Sequence, residues 1–279
     1  QICHGVAEHI ARYDGFARAL NEQGIVVAGH DHLGHGKSLP EGGTPVYFGE
    51  GNTWNTVVDD IYVLHQRLKQ RYPDVPLCIM GHSMGSFLTR TYLIRYPGTV
   101  KAAVIMGTGW QPRAAITGGL ALANAIAAVS GENATSELVT ELAFGSYNKL
   151  FAPNRTKVDW LSADESNVDD YIADPLCGAD ATVGLFRQML HGIRFNQRQS
   201  HLRQMDREMP VLFVAGDKDP VGSCGKGVRQ TYDAFRAAGM RDCTLKLYPG
   251  LRHEILNEKA YAADITKNIE AWLLSRLEK

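Results

Sequence analysis

Leu77-Cys78-Ile79-Met80-Gly81-His82-Ser83-Met84-Gly85 decides how the rest of the chain is read. The apolar run at its start is too short for a helix and suits a buried strand. It passes directly into Gly81-x-Ser83-x-Gly85, and Ser86 to Tyr96 then reads as a helix that Tyr96-Pro97-Gly98 stops. Strand, tight turn and helix form the setting in which Gly-x-Ser-x-Gly presents an exposed serine hydroxyl. Both glycines fit a strained turn with close backbone approach, where a Cβ would clash. Ser83 is therefore the candidate nucleophile. The Met84 N–H beside it, at a helix N-terminus, is a candidate donor to a developing anion.

The length of 279 residues suits one large α/β domain with an insertion, or two small domains. A formal net charge of -1 leaves no electrostatic footprint for nucleic acid. No apolar run reaches the length of a bilayer crossing, and no signal peptide is visible. The five cysteines (Cys3, Cys78, Cys177, Cys224, Cys243) are scattered and lack metal-type spacing. Reduced thiols and a cytoplasmic location are expected from them. The chain opens at Gln1-Ile2-Cys3 in what reads as a strand end, so a strand or two is expected ahead of it.

In chain order, His4-Gly5-Val6-Ala7-Glu8-His9 follows that strand end as a glycine-containing loop. Ala11 to Glu22 has helical spacing, and Ile25-Val26-Val27-Ala28 reads as a buried parallel strand. Trp54 to Tyr72 carries Val57, Val58, Ile61, Leu64 and Leu68 on one helical face. Ala102 to Gly107 is a further buried strand. From Thr108 to Met209 no strand-like run occurs, and Ile116 to Val129 is an alanine-rich apolar helix. Val211 to Gly216 restores the strand pattern, Val228 to Ala238 is helical, Thr244 to Tyr248 alternates as a half-buried strand, and about Tyr261 to Leu277 is an amphipathic helix. Strands alternating with helices predict a mostly parallel sheet flanked by helices. Residues 1–107 and 210–279 are read as its two parts, and residues 108–209 as a helical cap inserted between strands.

Ser83 needs a base within hydrogen-bond reach, because serine alone is a weak nucleophile. His253 is the candidate, placed after a strand and the Pro249-Gly250 turn. Asp217 and Asp219, on the loop after another strand, compete to orient that imidazole. Asp219 is favoured because it lies further out on the loop and Pro220 restricts its backbone; Asp217 suits local backbone bonding. A second oxyanion donor should come from the loop after an earlier strand, which points to the Val6 N–H. His30-x-His32-x-x-His35 matches no common zinc pattern and reads as histidines bonding loop backbone, with Asp31 and Ser38 tying the loop together. No metal site is expected.

Four segments together resemble the α/β-hydrolase superfamily, within it the monoacylglycerol lipase and lysophospholipase-like branch that is also grouped with serine aminopeptidases. They are His4-Gly5-Val6-Ala7-Glu8-His9 with Arg12-Tyr13, His30-Asp31-His32-Leu33-Gly34-His35-Gly36-Lys37-Ser38, Gly81-His82-Ser83-Met84-Gly85-Ser86, and Gly216-Asp217-Lys218-Asp219 with His253-Glu254. The resemblance implies an α/β-hydrolase fold, a Ser83–Asp219–His253 triad, Val6 and Met84 as oxyanion donors, and no cofactor. The expected substrate is a small ester or monoacylated lipid, and the cap helix offers a surface for transient membrane contact. The alternatives are a short-chain or aromatic-acid esterase, an amidase or peptidase, and a non-catalytic ligand receptor. A peptidase gripping an amino terminus would need cap acids, for which Asp159, Asp164, Glu165, Asp169, Asp170 and Asp174 are available.

Overall fold

Five strands make one parallel sheet in the order β1 (Ile2–Cys3), β2 (Cys78–His82), β3 (Ala102–Met106), β4 (Val211–Gly216), β5 (Cys243–Tyr248). The computed structural model describes residues 1–277. Side chains alternate across the sheet, as a two-residue repeat requires. Met80, Val104, Met106, Leu212 and Val214 pack on one face against Phe16 and Leu20 of α1 (Asp14–Asn21) and Ile265, Ile269 and Leu273 of α11 (Ala262–Leu277). Ile79, Ala103, Ile105, Phe213 and Ala215 fill the other face with α2 (Thr53–Arg71), α3 (Met84–Arg95) and α10 (Lys226–Ala237). This is the α/β-hydrolase fold. Because every ladder is parallel, all strands end on the same edge, where open α/β sheets place their ligands.

Ile25-Val26-Val27-Ala28 does not form the buried strand expected of it. The segment lies beside β1 with a single parallel bridge, Ile2 to Gly29, and Val26 is 58% exposed. Ile2 N donates to Ala28 O (2.8 Å), and among the described residues the pairing goes no further along that run.

Between β3 and β4 the chain is helical: α4 (Arg113–Ser130), α5 (Glu137–Thr140), a π turn (Glu141–Gly145), α6 (Ser146–Lys149), a 3₁₀ turn (Asp159–Leu161), α7 (Glu165–Ala173), α8 (Val183–Asn196) and α9 (Gln199–Leu202). Its β-pairing among the described residues is one isolated bridge, Thr135 to Thr182. α4 is longer than the run from Ile116 to Val129 suggests, because Arg113–Ala115 and Ser130 extend it to 18 residues. That corrects the reading that no run reaches bilayer length: by length and composition, α4 is apolar enough to cross a membrane. Its buried residues Ile116, Leu120 and Ala123 form a stripe facing the protein. α8 ties this region to the helix after Ser83. Asn196 Nδ2 donates to Phe87 O (2.8 Å), and Thr91 Oγ1 donates to Asn196 Oδ1 (2.8 Å).

The histidine-rich loop is held mainly by Asp31, whose carboxylate accepts from Ile10 N and Lys37 N, both at 2.8 Å. His35 Nδ1 donates to Leu33 O (2.9 Å), but among the described residues neither the His30 ring nor the His32 ring bonds loop backbone. Instead the His32 ring packs on His4 at 4.2 Å, and the His32 backbone N–H donates to His4 Nε2 at 2.9 Å. Burial holds His4 down to about 4, pushes His32 well below the ordinary histidine range, and lowers His35 in the same direction.

Two predictions follow from packing and burial. A Cβ at Gly85 would fall on the Cys3 carbonyl, whereas one at Gly118, inside α4, meets nothing within 4 Å. Gly85→Ala should cost about 3 kcal/mol or more in denaturant unfolding, while Gly118→Ala should gain up to about 1 kcal/mol; equal effects would contradict this packing. A histidine with a depressed folded pKa stays neutral while the unfolded chain takes up a proton. Stability is therefore full above the unfolded value near 6.5 and falls towards pH 4, by about 1.4 kcal/mol per pH unit for each such group. Unfolding free energy measured from pH 7 to 5 should decline steadily, and a flat profile would contradict neutral burial of these imidazoles.

Candidate active site

The sheet geometry brings the carboxyl-end loops of β1, β2, β4 and β5 together. Ser83 joins β2 to α3 with φ 54° and ψ -122°, a left-handed backbone rare for a residue with a Cβ. Neighbouring bonds hold it there. Ser83 N donates to Met106 O (3.0 Å), while Ser83 O accepts from Ser86 N (2.8 Å) and Ser86 Oγ (2.6 Å). Gly5 brings the loop after β1 against the turn: a Cβ there would lie 3.1 Å from Ser83 Cβ. Among the described residues, neither the Val6 N–H nor the Met84 N–H has an acceptor. Two backbone donors thus stand free beside the serine.

His253 Nδ1 donates to Asp219 Oδ1 at 2.9 Å, which leaves Nε2 as the ring's free base. Both residues are buried, and Asp219 Oδ1 also accepts from Val221 N (2.9 Å). Asp217 is elsewhere, its Oδ1 accepting from Gly250 N (2.8 Å) to secure the turn after β5. The structure therefore brings Asp219 and not Asp217 to His253. Among the described residues the Ser83 hydroxyl makes no hydrogen bond to His253; such bonds often tighten only with substrate in place.

Below these loops lies a buried polar network. Arg12 grips Glu254 with both terminal nitrogens (2.6 and 2.8 Å) and reaches Glu8 (3.0 Å). Tyr13 gives its hydroxyl proton to Glu8 (2.8 Å), so His82 Nδ1 must donate to the Tyr13 oxygen (2.9 Å). His82 Nε2 donates to His253 O (3.2 Å), and His82 therefore carries both ring protons. Burial opposes that charge, yet the hydrogen bond and charge of Glu8 raise the His82 pKa. Burial likewise opposes ionisation of Glu8, but His82 and Arg12 hold it well below the usual carboxylate range. Two carboxylates and two cations so balance inside the protein. Losing one member would leave a buried charge unpaired, at a cost of about 3–5 kcal/mol.

A cavity of about 390 Å³ opens beside Ser83, with Val6, Met84 and Ser83 in its wall. The remaining wall is mostly apolar and comes largely from the inserted helices, including Ile116, Leu122, Phe144, Phe186 and Leu190. Trp160, also in the wall, packs on the His253 ring at 5.1 Å. Sequence reading missed Trp160 and the Tyr13–His82 bond. Neither carries a local signature, since each is defined by a partner far away in the chain. His9, Asp174 and Cys177 place potential metal-ligand atoms within 4.8 Å of one another. His9 Nε2 and Asp174 Oδ2 are already hydrogen-bonded to one another at 2.7 Å, and the trio lies outside the cavity wall.

Residues 1–260 match the family described as serine aminopeptidase, S33. A monoacylglycerol lipase of Mycolicibacterium smegmatis is 31% identical, over 99% of this chain and 88% of its own length. A monoglyceride lipase of Mus musculus is 28% identical, over 99% of this chain and 82% of its own. Among solved structures, a thermostable carboxyl esterase from Bacillus coagulans in complex with glycerol superposes with a TM-score of 0.92 at 26% identity, covering 99% and 89% of the two chains. A lipase in its open form gives 0.88 at 27% identity, covering 100% and 90%. The chain belongs to the serine aminopeptidase S33 family of the α/β-hydrolase superfamily, as a serine-hydrolase-type enzyme related to lipases and esterases.

Proposed function

We propose that this enzyme is a carboxylesterase for esters with an apolar acyl group. The observation that carries the reading is the cavity: an apolar chamber with a serine and two free backbone donors in its wall. In this reading Ser83 attacks the ester carbonyl while His253 Nε2 takes its proton. Asp219 keeps the imidazole in the needed tautomer and stabilises the imidazolium. The Val6 and Met84 N–H groups receive the oxyanion. His253 then protonates the departing alcohol, and water activated by the same nitrogen releases the acid.

Amide cleavage at a charged amino terminus has less support, because among the described residues no carboxylate lines the cavity. The acids from the sequence reading are engaged elsewhere: Asp159 accepts from Arg155 and Thr156, Asp164 caps α7, and Asp169 pairs with Arg155. A second reading, hydrolysis of glycerol monoesters of fatty acids, is favoured by the similarity to monoacylglycerol lipases and by the exposed apolar residues Val129, Leu138 and Leu142 of the inserted helices. Those residues form the part that would meet a lipid surface. We take residues 108–209 as the cap that sets substrate access, and the five free thiols as support for a reducing compartment.

Turnover of p-nitrophenyl esters tests the proposal. kcat/KM should climb from acetate to octanoate, by up to about fourfold per buried methylene. A profile falling from acetate would overturn the apolar acyl site. Monoacylglycerol turnover comparable with the octanoate ester would select the second reading. In the same assay Asp219→Asn should lower kcat by about 10³–10⁴-fold, while Asp217→Asn stays within about threefold of wild type; the reverse would move the acid to Asp217.

A further inference from the structure

The loop that presents Val6 is fastened on both sides. On the core side, Gly5 N donates to Glu8 Oε1 (2.5 Å) and His4 Nδ1 donates to Gly5 O (2.7 Å). On the other side the fastening comes from the inserted helices. Ala7 O accepts from Tyr171 Oη at 3.0 Å and from Gly178 N at 2.9 Å. Ala7 itself has φ 53°, a left-handed backbone that a residue with a Cβ adopts only when its surroundings impose it. Tyr171 is buried on α7, its ring stacked under the Arg12 guanidinium at 5.0 Å, and it is not part of the cavity wall.

We propose that Tyr171 is a positioning residue for the oxyanion site: with the Gly178 N–H it holds Ala7 in its strained conformation, and so aims the Val6 N–H at the reacting carbonyl. The assignment rests on the reading of Val6 as an oxyanion donor. Its consequence is that the cap does more than shape the acyl chamber. A displacement of α7 away from the loop would release Ala7 and loosen the oxyanion site, so that full transition-state stabilisation requires the cap to be seated.

The test is Tyr171→Phe, which keeps the ring and its stacking on Arg12 and removes only the hydroxyl. Rates are expressed per active site titrated with a fluorophosphonate, so that any loss of folded protein lowers the titre and not the per-site rate. kcat for p-nitrophenyl butyrate should fall about tenfold, less than the 10²–10³ expected for outright loss of a donor, with KM within about twofold of wild type. Affinity for an alkylboronic acid, which forms a tetrahedral adduct on the serine, should fall by the same factor as kcat. The apparent pKa of the rate profile should not move, because His253 and Asp219 are untouched. An unchanged kcat, a loss confined to KM, or a lower kcat with undiminished boronate affinity would each overturn the proposal. Wild-type protein that neither hydrolyses esters nor reacts with the phosphonate would instead overturn the esterase reading itself.

Discussion

The left-handed backbone of Ser83, held between a buried strand and a buried helix, is the constraint on which the rest depends. A φ of 54° at a residue with a Cβ costs free energy, of order 1–3 kcal/mol. It persists because the turn is over-determined. β2 fixes the chain on one side, and α3, buried along nearly its whole length, fixes it on the other. Gly81 lets β2 and α3 close on one another, and Gly85 lets α3 approach β1: a Cβ at either position would strike backbone, that of Gly85 and of Cys3 respectively. What the strain achieves is exposure of one hydroxyl at the sheet edge, next to two backbone donors that have no acceptor among the described residues.

Around that turn, the loops are joined by charge. Glu8 sits on the loop after β1, His82 at the end of β2, and Glu254 beside His253 after β5; Arg12 and Tyr13 connect them. One buried network therefore sets the relative positions of the loop presenting Val6 and the loop presenting His253. The inserted helices join the same system through Asn167, which donates to Glu254 (2.8 Å), and through the 3₁₀ turn, where Leu161 O accepts from Glu254 N (2.8 Å). The inserted helices and the sheet's loops thus meet through satisfied polar groups as well as through apolar contact. The network lies beneath the site, while most of the cavity wall comes from the inserted helices.

Much of this was legible in the sequence, for definite reasons. Ser83 announced itself because the strand, turn and helix around it are contiguous, and Asp219 and His253 because each follows a recognisable strand. In the structure His253 is bonded to Asp219, whereas Asp217 is held by the Gly250 turn. Ile25 to Ala28 misled because β-branched composition describes a strand's chemistry and not which neighbours it pairs with. His32 misled because a loop histidine ordinarily seeks backbone, whereas this one is stacked in the interior. The roles of Tyr171, Trp160 and Tyr13 could not be read in advance, because their partners lie 164, 93 and 69 residues away. No local period records such distances.

The central claim is that the fold activates one serine among all the hydroxyls in the chain. Peptide mapping by mass spectrometry after treatment with a fluorophosphonate tests it directly. The account predicts one phosphonyl group per folded chain, carried on Ser83, with none on Ser83→Ala or on the unfolded protein. A folded protein that stays unmodified, or one modified at a different residue, would contradict it.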